Sequence, residues 1–213
     1  MTLSAALWSG NGDLAAEALA HPFVRSLGDG SLAPEVFAEY VAQDGFFLES
    51  FARAYALALA RSSDTATLLA LADLIAGVRD ELGLHASYAA SWGIDMAGVE
   101  PAPATLAYTE FLLATSATGG LDLVFAAMTP CMRLYAFLGT ALESSAAGPY
   151  AQWVATYADP AFEALASRLE GLLDDHADDG PAVRAAYRRA MRLELAFFDA
   201  ADPPRDRRDG LEL

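Results

Sequence analysis

The chain has 213 residues, is 54% hydrophobic with alanine and leucine dominant, and carries a net charge of −16 with a pI near 4.3. All 13 of its basic residues are arginine, which excludes a lysine Schiff base and a Walker-type phosphate loop, and the acidic balance argues against nucleic acid and anionic membrane surfaces. The single cysteine can form neither an internal disulfide nor a cysteine-based zinc site.

The opening MTLSAALWSGNGD lacks the basic start and apolar run of a secretory signal. No uncharged apolar run reaches the roughly 18 residues of a membrane span, so a soluble cytoplasmic protein is expected. Apolar residues recur at helical spacing from there on. A first helix is predicted over Leu3–Ala20, followed by a loop in HPFVRSLGDGSLAP, where GDG and proline are turn formers. Pro34 opens a long helix to Ala60, since the first-turn N–H has no partner to lose. Asp64 is placed to cap the next helix, which runs to Trp92 and ends before Gly93. After the loop EPAPAT come helices over Ala104–Thr115, Leu121–Ser145, Tyr150–Tyr157, Pro160–Leu173 and Pro181–Ala200, then a polar, frayed tail over 202–213. No alternating strand pattern, internal repeat or linker interrupts them. The expectation is one all-α domain over 1–213, a bundle of about eight helices.

Several polar residues fall on apolar faces. Asp44 shares a face with Tyr40, Phe47 and Phe51, where a carboxylate must be paired or hydrogen-bonded. A partly exposed Asp44, or one paired with an arginine, is the plain alternative. Glu194 lies in RLELAFF and has the same alternatives, a surface position or pairing with Arg188 or Arg192. Glu81 and His85, one helical turn apart, could ligate a metal or simply hydrogen-bond. Dimetal carboxylate bundles use Glu-x-x-His twice, and this chain has none; of its three histidines, His176 in DDHADD reads as solvated. Cys131 follows Pro130 inside an apolar helix, so a kink and a freed carbonyl at Ala126 are expected beside it. A buried cysteine is often only a small hydrophobe. Carboxylates nearby would raise its pKa, so a reactive Cys131 would need a proton acceptor.

Five stretches in order, HPFVRSLGDGSL with YVAQDGFFLESFA, AYTEFLL, TPCMRLYAFLG, WVATYADPAF and RLELAFF, resemble the TenA family of thiaminase II and its aminopyrimidine-hydrolysing relatives. The resemblance spans nearly the whole chain. It implies an all-α, heme-oxygenase-like bundle assembled as a homotetramer. It also implies a cofactor-independent hydrolase in thiamin salvage that cleaves the C5-methylene substituent of a 4-aminopyrimidine or of thiamin. On this resemblance Cys131 matches the nucleophile, Glu194 the acid/base carboxylate near the leaving group, and Asp44 the carboxylate that holds the aminopyrimidine. Tyr108 and Tyr157 match site-lining tyrosines, and Phe197 the aromatic residue that closes the pocket. Phe47 departs from the tyrosine of many relatives; it keeps the stacking face and lacks the hydroxyl. Arg133 is expected at the surface or at a subunit contact. The competing readings are a pyrimidine-binding protein without catalysis, a dimetal oxidase on the same fold, and a transcriptional regulator, the last disfavoured by the pI and the missing lysines.

Overall fold

A computed structural model describes residues 1–94 and 98–201, so the tail predicted over 202–213 lies outside the described residues. Among these residues there are ten α-helices: α1 Leu3–Gly10, α2 Gly12–Ala20, α3 Pro22–Asp29, α4 Pro34–Leu59, α5 Thr65–Trp92, α6 Pro103–Thr118, α7 Leu121–Leu142, α8 Ala151–Ala158, α9 Pro160–His176 and α10 Pro181–Ala201. Short 3-10 turns at Glu143–Ser145 and Gly148–Tyr150 link α7 to α8, and no strand occurs among the described residues. The all-α bundle is as expected, with ten helices in place of about eight.

The two extra helices come from local chemistry at the amino end. The predicted first helix is split at Asn11, whose side-chain amide donates to the Leu7 carbonyl at 2.8 Å while its backbone closes α1. The stretch expected to be a loop contains α3. Pro22 occupies its first turn, the His21 ring accepts from the Phe23 N–H at 3.2 Å, and Gly30 ends it with φ +78°. Burial of Phe23, Val24 and Leu27 holds this short helix against the core. Asp64 caps α5 as expected, accepting from the Thr67 N–H at 2.8 Å.

α4 packs between α5 and α6, and α7 is surrounded by α8, α9 and α10. The stretch Leu121–Ser145 is long and apolar enough to cross a membrane by length and composition alone, but it carries Asp122, Arg133 and Glu143, and 72% of its most apolar window is buried inside the bundle, as suits a core helix. α7 also runs unbroken through Pro130. A proline here forfeits one backbone hydrogen bond, about 3 kcal/mol in a helix interior, and burial of every residue from Val124 to Pro130 outweighs that loss. Arg133 is not a free surface residue. It is 15% exposed and forms ion pairs with Glu163 at 2.8 Å and Glu170 at 2.6 Å, tying α7 to α9.

Candidate active site

α4 and α5 meet along a buried face, and there Asp44 finds its partner. His85 Nε2 lies 2.7 Å from Asp44 Oδ2, and Nδ1 lies 2.9 Å from the backbone carbonyl of Glu81. Burial disfavours the charged ring, but the hydrogen bond and negative charge of Asp44, with Glu81 adding to them, lift the His85 pKa to about 9. The ring is therefore an imidazolium at neutral pH and donates from both nitrogens. Asp44 is paired with a histidine on the next helix, not with an arginine. The pairing engages Oδ2, and Asp44 also lines the cavity described below.

The second cluster joins α6, α7 and α10. The Tyr108 hydroxyl donates to Glu194 Oε1 at 2.7 Å, and the Cys131 thiol lies near enough to the same carboxyl for its charge to raise the thiol pKa. Glu194 is 2% exposed and has no arginine partner among the described residues; Arg188 pairs instead with Asp13. Burial raises the Glu194 pKa to about 8 despite the opposing effects of Tyr108 and Cys131. Burial also raises the Cys131 thiol well above its ordinary range, with the charges of Glu194, Glu81 and Asp44 acting in the same direction. A thiol in this setting does not ionise alone; its proton needs an acceptor, and Glu194 is close by.

A third pair links α5 to α8. The Tyr157 hydroxyl donates to Glu81 Oε1 at 2.6 Å, and burial together with the Asp44 charge pushes Glu81 up to about 7. The three clusters meet at a tight cavity of about 10 Å³, the room of a single water, lined by Asp44, Phe47, Phe51, Glu81, Cys131 and Tyr157, with Met132, Tyr135 and Phe162 closing it. Tyr40 and Tyr135 share a hydrogen bond of 3.2 Å behind it, and Trp153 Nε1 donates to Tyr40 at 3.3 Å. Outside lies a cleft of about 320 Å³ between α5 and α9. Glu81, Met132 and Phe162 line both spaces.

Most of the residues singled out from the sequence thus converge. Asp44, Phe47, Cys131 and Tyr157 line the cavity. Tyr108 and Glu194 stand behind the sulfur. Phe197 lies further back, its ring 6.0 Å from those of both Phe47 and Tyr40. Phe47 packs on Tyr108 at 4.8 Å between ring centroids. Glu81 and His85 do not form a metal pair; they turn to Tyr157 and Asp44, and no cluster that could hold a metal ion occurs among the described residues. His176, expected in solvent, bonds to Thr67 Oγ1 at 2.8 Å and packs on Phe125. Glu81, Tyr135, Met132 and Phe162 are the site residues that sequence reasoning missed. The spacing of Glu81 and His85 was the one available signal, and it pointed to a different use.

A family model described as the TENA/THI-4/PQQC family matches residues 12–201. The chain is 38% identical over 208 residues to the mitochondrial bifunctional TH2 protein of Arabidopsis thaliana, a match covering 84% of this chain and about a third (34%) of that protein. It is 32% identical over 194 residues to an aminopyrimidine aminohydrolase of Halalkalibacterium halodurans, covering 85% and 87% of the two chains. A crystal structure of a TenA family transcription regulator from Silicibacter sp. TM1040 superposes with a TM-score of 0.88 at 27% identity, covering 94% of this chain and 96% of that one. With the fold, the cavity and these matches in agreement, the chain belongs to the TENA/THI-4/PQQC family.

Proposed function

We propose that this protein is an aminopyrimidine hydrolase of thiamin salvage, replacing the substituent on the C5 methylene of a 4-aminopyrimidine, or of thiamin, by hydroxyl. The observation that carries the reading is that Cys131 and Asp44, the latter paired with His85, line one cavity, with the buried Glu194 carboxyl close enough to the thiol to shift its pKa. Asp44 holds the amidine-like edge of the pyrimidine by charge-assisted hydrogen bonds, and His85 pairs with its other oxygen. Phe47 supplies an aromatic face for the ring. As sulfur adds to C6 of the ring, its proton passes to Glu194 in its ionised form, the minor form at neutral pH, which Tyr108 holds in place. The ring electrons then expel the C5 substituent, water adds to the exposed methylene, and the thiolate leaves and recovers its proton from Glu194. The chemistry uses side chains alone, with no cofactor. Relatives named aminopyrimidine aminohydrolase support the reaction class. The family resemblance alone suggests a cytoplasmic homotetramer, which analytical ultracentrifugation would read directly.

The test is product formation. Purified protein is incubated with 4-amino-5-aminomethyl-2-methylpyrimidine and, separately, with thiamin, and the hydroxymethyl product is quantified. Cys131→Ser is expected to lower turnover by roughly 100-fold or more with the helical spectrum retained. Near-normal turnover in that variant rules out covalent catalysis.

A further inference from the structure

Replacing an amine by water needs proton transfer at two places: at the sulfur, and at the leaving nitrogen and the incoming water. Glu194 serves the first, standing near the thiol and held by the Tyr108 hydroxyl. The second must occur where the leaving group can depart and water can enter. The reaction cavity borders the outer cleft along Glu81, Met132 and Phe162, and Glu81 is the one of the three that can carry a proton. Among the described residues, the cleft wall beyond it carries Asp80 and Asp159 and no basic side chain, so a departing ammonia meets no repulsive charge there.

We propose that Glu81 protonates the departing amine and then takes a proton from the incoming water, with the outer cleft as the passage for both. This rests on the reading of Cys131 as the nucleophile toward an aminopyrimidine. The bonds and charges balance. In the anionic adduct, the bond from the C5 methylene to nitrogen breaks, its electron pair goes to nitrogen, and the Glu81 proton follows, leaving a neutral exocyclic methylene and a Glu81 carboxylate. Water oxygen then bonds to the methylene while its proton passes to Glu81. The ring charge expels sulfur as thiolate, and the thiolate recovers its proton from Glu194.

Glu81 faces Asp44 from α4, His85 on its own helix, Cys131 from α7 and Tyr157 from α8, with the hydroxyls of Tyr40 and Tyr55 also within its field. Burial and the Asp44 charge hold it at about 7, against the opposing effects of Tyr157 and His85. Both protonation states are therefore populated near neutrality, as suits a group that donates and then accepts.

The leaving group provides the test. Ammonia must be protonated as it leaves, whereas the thiazolium of thiamin departs as a neutral thiazole and needs no proton. Single-turnover release is measured for both substrates in wild type, Glu81→Gln and Glu81→Asp. Glu81→Gln, which keeps an acceptor for Tyr157, is expected to slow ammonia release by about 100-fold and thiazole release by less than about threefold. Glu81→Asp should recover part of the ammonia rate, and it reads the same ratio if the glutamine variant does not fold. Equal losses on both substrates, or no loss, overturn the proposal. A wild type that releases neither group, or a Cys131→Ser variant that releases both at the normal rate, overturns the underlying reading and this inference with it. That pattern is distinct, because it is already present with Glu81 intact.

Discussion

Glu194, Glu81 and His85 all bind protons more tightly in the folded protein than in the unfolded chain. Folded values of about 8 and about 7 stand against an ordinary 4.5 for the two carboxyls, and about 9 against 6.5 for the imidazole. For a group raised in this way, the stability it contributes is complete below the unfolded pKa and is lost as pH rises through the folded one. The window therefore opens near the ordinary carboxyl value and closes near the folded value of His85. Urea unfolding is expected to show stability falling steadily from mildly acidic to mildly alkaline pH. Glu194→Gln removes the largest carboxyl share, on the order of a few kcal/mol at the alkaline end, and should flatten the slope. A slope unchanged by that substitution would mean Glu194 is ionised in the folded protein at neutral pH. The same residues explain why the site was only half legible in the sequence. Periodicity marks Asp44 and Glu194 as carboxyls on apolar faces, because the violation lies within one helix. It cannot name the histidine on α5 or the tyrosine on α6 that satisfy them, because those partners are set by helix packing.

At the scale of elements, the close approach of α7 to α8 positions Tyr157. Gly139 makes it possible: a Cβ at that position would run into the backbone of Tyr157 and Ala158. Backbone atoms cannot swing aside as a flexible side chain can, so Gly139→Ala should push α8 outward and draw the Tyr157 hydroxyl off Glu81. The expected result is a loss of stability of about 1–3 kcal/mol, together with a drop in turnover larger than the stability loss explains. A variant with normal turnover would separate Tyr157 from the chemistry. The long helices were legible because their apolar period and caps agree, as at Asp64 and Pro34. The errors fell where turn formers took helical roles. Pro22 and Gly30 begin and end α3, where the sequence reading expected only a loop, whereas α7 was read with Pro130 inside it and is so. Arg133 misled for a related reason: it does point away from Cys131, but toward two glutamates of α9 and not toward water.

For the molecule as a whole, the charge of −16 is a repulsive load on the compact state. Arginines offset part of it locally, through Arg133 with Glu163 and Glu170, Arg188 with Asp13, Arg184 with Asp179 and Arg168 with Asp73. Most of these pairs are exposed and individually weak. Added sodium chloride, by shortening the screening length to about 3 Å near 1 M, is therefore expected to raise the urea midpoint. A midpoint that falls with salt would show that the arginine pairs outweigh the net repulsion. The lone sulfur has a further consequence at this scale. Cys131 is the chain's single thiol, no lysine competes for electrophiles, and the passage to it runs between Met132 and Phe162. A series of alkylating reagents of increasing girth thus works as a caliper: the size at which labelling stops measures how wide the doorway opens in solution.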